Sequence, residues 1–386
     1  MPIANDVDDA RLKRLAALQD SHNTVLSLYL DLDPERFATP RARQSEADSL
    51  IDAAHREIES HERPHEELMA LRKGLERARE LLGDITVAAP DARSVAAFIS
   101  LPLELEEMLR LEHPVALAAV VGDAPFLTPL SGQGTPEDLI VALVDERHAR
   151  FLRGRDLGQR ERVAIEDDVQ GRQHQGGWSQ PRYERSFDED VRRHIVHVAA
   201  VLKETQRVDP FQLLMIACAQ PLWNELVDAL HPEVRSRLYE QRLVLDVADA
   251  GIAEIEGAVA AALAERRAGH EEEVLAELRE RLGRDEDPPR AVAGLPAVLE
   301  ALVERRVEAL LLDSSRKEPG VRCPRDGWLG PAGVSTCPVD GGDVEIREDV
   351  VEDGVHLAIE QSAEVLVLED RPDLGPLGGI AATLRF

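Results

Sequence analysis

The chain has 386 residues, 45 basic and 74 acidic side chains and a formal net charge of −29, with 44% apolar residues and only 3% aromatics. That length implies two or three domains, each with an ordinary core. The charge argues against free electrostatic binding to DNA, RNA or an anionic membrane, so any contact with nucleic acid must come from local basic spots. Lys13, Lys73, Lys203 and Lys317 are the only lysines among the basic residues, and that arginine bias reads as compositional.

The cysteines Cys218, Cys323 and Cys337 make no disulfide framework, and the polar, acidic start carries no secretory signal. The longest apolar runs, near Val115–Val121 and Ala258–Ala264, are too short to cross a bilayer. These features give the expectation of a soluble, cytoplasmic protein with no DNA or membrane partner.

In chain order, Thr24–Leu32 alternates apolar and small or polar β-formers and predicts a strand ended by Asp33-Pro34. Residues 41–82 predict amphipathic helices broken at Pro64. Ser94–Ser100 and Val115–Val121 predict further strands, and Gly122–Pro136, rich in proline and glycine, predicts a linker. Asp31 and Asp33 are read as the polar end of a strand rather than as a metal pair.

Beyond the linker, Leu139–Val144 predicts a buried strand, turned at Asp145–His148 into a second, Ala149–Arg153, with Arg162–Ile165 as a third. Ser186 followed by Glu189 predicts a capping box opening a helix whose stripe is Val191, Ile195, Val198 and Leu202. Asp188, Glu189 and Asp190 then fall in its first turn and complement the macrodipole. His194 and His197 could pair as metal ligands at i,i+3, but with no third ligand nearby they are placed on the helix surface. Gln212–Ala219 predicts a strand with Cys218 in the core, Pro221 opens a helix, and Leu243–Val247 predicts the next strand.

A helical stretch over Ile252–Leu282 is expected to be interrupted at Gly269, followed by a break at Asp285–Pro289. Leu295–Val303 predicts a helix, Val307–Asp313 a strand, Val350–Gln361 a helix, and Val365–Leu368 and Ile380–Phe386 strands. Strands alternating with helices give an α/β fold of three domains. These are a mixed α/β domain over 1–133, a central α/β domain over 134–265, which the resemblance described below implies is RNase H-like, and a C-terminal α/β sandwich over 266–386 with an insertion at 320–345.

Two stretches are not explained by folding. Arg172–Arg185 (R-Q-H-Q-G-G-W-S-Q-P-R-Y-E-R) has no apolar period and sets one of only three tryptophans on a glycine pair. The other is a repeated C-P-x-D-G, at Cys323–Gly327 and Cys337–Gly341, which looks like a zinc knuckle whose second cysteine has become aspartate. Cys323, Asp326, Cys337 and Asp340 would suit tetrahedral zinc, since carboxylate oxygen is an allowed ligand. The alternative is a degenerate ribbon held by its turns or by a Cys323–Cys337 contact, with no cofactor required. Among the motifs sought, no Ser–His–Asp order, P-loop or dinucleotide fingerprint occurs.

The segment G-G-W-S-Q-P-R-Y-E-R resembles the G-G-Q-S-x-x-R-F-x-R segment of the archaeal and eukaryotic class-I peptide release factors. V-A-L-V-D-E-R-H-A-R-F-L-R-G looks like the hairpin opening that family's middle domain. Asp353–Glu369 and Gly378–Phe386 are similar to the C-terminal domain shared with Pelota. The likeness is best in the bacterial branch, which includes the hibernation factor Balon, and is much weaker over 1–133.

The resemblance implies that Gly176, Gly177, Trp178, Ser179, Gln180, Arg182, Tyr183 and Arg185 contact the ribosome, Trp178 standing where the family's catalytic glutamine should be. An indole has one N–H donor and no acceptor, so it cannot reproduce the amide's placing of water; on a flexible tip with arginines it suits stacking on RNA bases. No catalytic residue and no enzyme activity is therefore expected. The implied role is a tRNA mimic in the ribosomal A site, acting in hibernation or stress protection, with ribosomal RNA and elongation factor Tu as partners. A release or rescue factor hydrolysing peptidyl-tRNA, and an acidic interaction protein with no ribosomal role, are the alternatives left open.

Overall fold

The computed structural model describes the chain except residues 1–4, 21, 34–35, 84, 86–88, 90–91, 112, 132, 134–137, 155–160, 167–179, 285–286, 369–370 and 372, and gives only the backbone of 5–6, 161–166 and 180–187. Two compact units result: Met1–Pro136 together with Glu273–Phe386, and Glu137–Glu272.

The chain opens with β1 (Asn5–Asp6) and α1 (Asp9–Ala16), whose Asp8 side chain caps the helix by accepting from the Arg11 N–H. A five-stranded sheet follows, built from β2 (Val25–Asp31), β3 (Ser94–Ser100), β4 (Leu105–Leu111) and β5 (Ala118–Gly122), in the order β1-β4-β3-β2-β5. Helices α2 (Pro40–Glu59) and α3 (His65–Leu82) separate β2 from β3 and meet at the predicted Pro64 break. Leu26, Leu28 and Leu30 of β2 pack with Leu50, Ile58 and Leu71 of these helices. Asp31 closes the strand as expected, accepting the Asp33 N–H at 2.9 Å and pairing with Arg36.

Two expectations change in this part. The last strand begins at Ala118, not Val115, and the described part of the predicted linker is packed structure: α4 (Thr128–Ser131) lies within it, with Leu127 and Leu130 fully buried. Two apolar side chains three apart outweigh the surrounding turn formers once a core is there to receive them.

The central unit is a four-stranded sheet of β6 (Leu139–Val144), β7 (His148–Arg153), β8 (Glu161–Glu166) and β9 (Leu213–Cys218), in the order β8-β7-β6-β9. β6, β7 and β8 form an antiparallel meander, while β6 and β9 run parallel. The parallel pair needs a crossover, supplied by α5 (Gln180–Val208). Val191, Ile195, Val198 and Leu202 face the sheet as their spacing required. Helices α6 (Gln220–Ala229), opened by Pro221 as expected, and α7 (Pro232–Arg235) share that face. The first half of α8 (Ile252–Leu282) covers the other with Ile255 and Val259.

Five more expectations are corrected here. α5 starts at Gln180, so Ser186 is interior to the helix and forms no capping box. Pro181 in the first turn carries no N–H that needs a partner and already has helical φ. Asp188, Glu189 and Asp190 consequently lie beyond the first two turns, where the macrodipole does little, and Asp190 instead pairs with Arg193. His194 is buried at 1% exposure while His197 is exposed, so they do not share one surface. Leu243–Val247 is no strand; Leu243 alone bridges to Ala217 of β9. α8 runs unbroken through Gly269, because one glycine costs about 1 kcal/mol and cannot interrupt a helix otherwise rich in alanine, leucine and glutamate.

The C-terminal part adds β10 (Ala291–Ala293), α9 (Leu295–Val303), β11 (Val307–Asp313), α10 (Val350–Glu360), β15 (Glu364–Leu368) and β16 (Ile380–Leu384). Its sheet order is β10-β16-β11-β15, with β11 parallel to β15 and antiparallel to β16. Between β11 and α10 sits a small separate sheet of β12 (Gly320–Arg322), β13 (Leu329–Pro331) and β14 (Glu345–Arg347), ordered β13-β12-β14. Val25, Tyr29 and Phe98 of the N-terminal sheet share one core with Val298, Leu310 and Val355 of this part. Both faces of β2 are thereby buried. Among the described residues no helix is long and apolar enough to cross a membrane.

Candidate functional site

The insertion between β11 and α10 brings the four predicted ligands together: one donor atom from each of Cys323, Asp326, Cys337 and Asp340 lies within 4.8 Å of every other. Two turns of the same construction hold them. In the first, the Cys323 N–H donates to the Trp328 carbonyl at 2.8 Å and the Gly327 N–H to the Cys323 carbonyl at 3.0 Å. In the second, the Cys337 N–H donates to the Gly342 carbonyl at 2.8 Å and the Gly341 N–H to the Cys337 carbonyl at 2.9 Å. Gly327 and Gly341 close these turns at φ of +74° and +72°, a region a Cβ disfavours. Each aspartate is aimed by a backbone donor two residues on, Trp328 N–H for Asp326 at 2.9 Å and Gly342 N–H for Asp340 at 2.8 Å.

Across the turns, Cys337 Sγ is 3.4 Å from Asp326 Oδ2 and Cys323 Sγ is 3.9 Å from Asp340 Oδ1. A tetrahedron with zinc–ligand bonds of about 2.0–2.3 Å has edges of about 3.3–3.8 Å; the first distance falls in that range and the second just above it. Both thiols are buried and the carboxylates face outward, Asp340 also reaching Arg325 at 3.5 Å. The Val339 N–H points at Cys337 Sγ from 3.4 Å, an arrangement that favours a thiolate. The Cys323 thiol and the Trp328 N–H hold Asp326 below the usual carboxylate range, while burial pushes the Cys337 thiol up. Metal binding must displace that proton. All three cysteines are free thiols, and Cys218 lies in the β9 core with burial raising it to about 11.

Of the loop residues, Gly176, Gly177, Trp178 and Ser179 lie outside the described residues. Gln180, Arg182, Tyr183 and Arg185 fall in the first turns of α5, where only the backbone is described. The segment's two flanks are clear. β8 ends at Glu166, in register with His148, so the chain leaves the sheet at the edge where the Asp145–His148 turn joins β6 to β7. At this edge the carboxyl ends of the parallel strands β6 and β9 open a crevice of about 520 Å³, bordered by Arg147, His148, Cys218 and Arg242. Sequence reasoning missed the crevice, because Arg242 reaches it only through bonds to Gln220 at 2.8 Å and the Cys218 carbonyl at 3.2 Å.

Sequence reasoning also missed a buried polar junction joining the first and last parts of the chain. Arg347 pairs with Asp123 at 2.6 and 2.7 Å and with Asp353 at 2.9 Å, and Asp353 also takes Arg322 at 3.3 Å. Burial raises Asp353, whereas the Arg347 bonds overcome burial to hold Asp123 low. Glu352 accepts from the Leu127 N–H and, at 2.5 Å, from the Thr128 hydroxyl. Partners 224 residues apart leave no local pattern in a sequence.

The central unit thus combines a meander of three antiparallel strands, a fourth parallel strand and a long crossover helix that begins at Gln180. Residues 125–268 match the family model of bacterial archaeo-eukaryotic release factor family 10. No curated protein matches the sequence. Among solved structures, an archaeal translation termination factor is 17% identical over 99% of both chains at a TM-score of 0.26. Archaeoglobus fulgidus Pelota is 18% identical over 76% of this chain and 79% of its own, at 0.36. An archaeal Pelota in a ribosome-bound assembly is 15% identical over 76% and 77%, at 0.38.

Proposed function

We propose that this chain is a ribosome-associated translation factor that enters the A site as a tRNA mimic and does not hydrolyse peptidyl-tRNA. The observation that carries this lies in the sequence of the matched region: against the G-G-Q-S segment that it resembles, Gly176 and Gly177 are kept and Trp178 stands where the glutamine would be. The glycine pair keeps backbone freedom at the tip, while the indole lacks the acceptor that an amide offers water. Stacking of Trp178 on a base, with Arg182 and Arg185 near phosphate, gives the segment a binding role without a reaction. Protection of idle ribosomes under stress, with delivery by elongation factor Tu, is the setting such a factor fits.

Two measurements on the purified chain test this. Co-sedimentation with ribosomes from starved cells is expected; absence from the ribosome peak in growing and starved cells alike would favour an acidic interaction protein. In a release assay on programmed ribosomes no ester cleavage is expected, and cleavage lost in a Gly176→Ala, Gly177→Ala variant would establish a release or rescue factor instead.

The repeated knuckles support a second, structural reading, in which Cys323, Asp326, Cys337 and Asp340 hold one zinc ion that staples β12–β14. Buried thiols converging with aimed carboxylates at tetrahedral spacing favour it.

A further inference from the structure

His356 lies in α10 with its ring buried between two backbone carbonyls. Nδ1 is 3.0 Å from the Ala16 oxygen at the end of α1, and Nε2 is 2.7 Å from the Pro125 oxygen in the segment before α4. A carbonyl oxygen can only accept, so both bonds exist only if both ring nitrogens carry protons. A neutral imidazole has one N–H and would set a lone pair against one of the two oxygens. Glu352, one turn earlier on the same helix, lies 3.5 Å from Nε2 and supplies the counter-charge.

From this geometry we infer that His356 is a buried imidazolium that clamps the N-terminal part of its unit to the C-terminal part, and that the clamp releases as pH rises. The surrounding charges leave it that role. On its own helix, Asp353 is occupied by Arg347 and Arg322. Across the junction, Arg347 is shared with Asp123, and Lys317 sits over the Phe126 ring at 5.5 Å. The Tyr29 hydroxyl of β2, pushed up by burial and by Glu352, is neutral and donates to the Phe126 carbonyl. Asp326 and Glu360 border a cavity of about 180 Å³ beside the ring and add negative potential. Glu352 is left as the anion the imidazolium answers.

Burial pulls the His356 pKa down, but Glu352 and the two carbonyls outweigh it, and the net shift is upward. With the folded pKa above the ordinary imidazole value of about 6.5, the clamp is complete below that value and is lost as pH climbs through the raised one. A neutral ring keeps one bond and loses the other, so the link that joins Ala16 to Pro125 through this side chain is broken.

The test is long-range proton–nitrogen NMR of the intact chain labelled with 15N-histidine, titrated from about pH 6 to pH 9.5. One of the 12 histidines should keep both ring protons after the others have become neutral, and that signal should vanish in His356→Gln. Glu352→Gln should move its titration down by about one pH unit, and this decides the matter if His356→Gln does not fold. Hydrogen exchange at residues 16–20 and 123–131, corrected for intrinsic rates, should rise through the same pH range in the wild type. Neutral rings throughout by about pH 7.5, a doubly protonated signal that survives in His356→Gln, or a titration unmoved by Glu352→Gln would each overturn the inference.

Discussion

Cys323 and Cys337 are two thiols in a ribbon that would ordinarily call for four, and the aspartates at the remaining corners change what the site can do. Carboxylates are harder and more exposed donors than thiolates, so a two-sulfur, two-oxygen set should bind zinc or cobalt more weakly than four cysteines would. Because both thiols must lose their protons, and burial holds Cys337 up, affinity should fall as pH falls. Cobalt titration should give a tetrahedral visible spectrum with thiolate charge-transfer bands, removed by chelator and by Cys337→Ser. A spectrum that Cys337→Ser leaves unchanged would place the ion elsewhere. These four positions were legible in the sequence because each knuckle is local: cysteine, aspartate and glycine fall within five residues, and the turn needs that order. His356 was not legible, since what makes it unusual is two carbonyls supplied by residues 231 and 340 positions away.

At the level of elements, glycine shows how context sets the sign of one substitution. Gly269 is exposed in the middle of α8, and a Cβ added there meets nothing within 4 Å. Gly269→Ala should therefore stabilise the chain by about 0.5–1 kcal/mol, measured as a higher urea midpoint. Gly330 of β13 lies against the Trp328 indole, and a Cβ there would fall on the ring. Gly330→Ala should lower the same midpoint, by about 1–3 kcal/mol of overpacking. Helices and strands with their own periodicity, such as Ser94–Ser100, Leu295–Val303 and Val307–Asp313, were read to the residue. The start of the helix from Gln180 was misplaced by about two turns, since Ser186 and Glu189 carry a capping signature that the preceding helix simply overrides.

For the whole molecule the governing quantity is the charge of −29. A polyanion approaching ribosomal RNA, on the proposed function, would be repelled at long range and held only by local contacts, the role proposed for Arg182 and Arg185. On the proposed function, association with ribosomes should quicken as salt is raised from about 0.01 to 0.1 M, over which the Debye length shrinks from about 30 to 10 Å. A basic tRNA mimic would slow over the same range. Stopped-flow binding at those two ionic strengths checks this, and a rate that falls with salt would mean a basic surface governs the encounter.

By itself the sequence determined the α/β class, most strands and helices, the hairpin of the central domain, the glycine-pair segment with its tryptophan, and the four converging knuckle residues. All of these depend on residue type and spacing within one or two turns of chain. Tertiary structure decided that β2 is buried on both faces, that Leu127 and Leu130 are core, and that residues 1–136 and 273–386 share one unit. It also placed Asp123 against Arg347 and Ala16 against His356. Those contacts join residues hundreds of positions apart, and a buried ion pair or a doubly bonded imidazolium exists only once the core around it has excluded water.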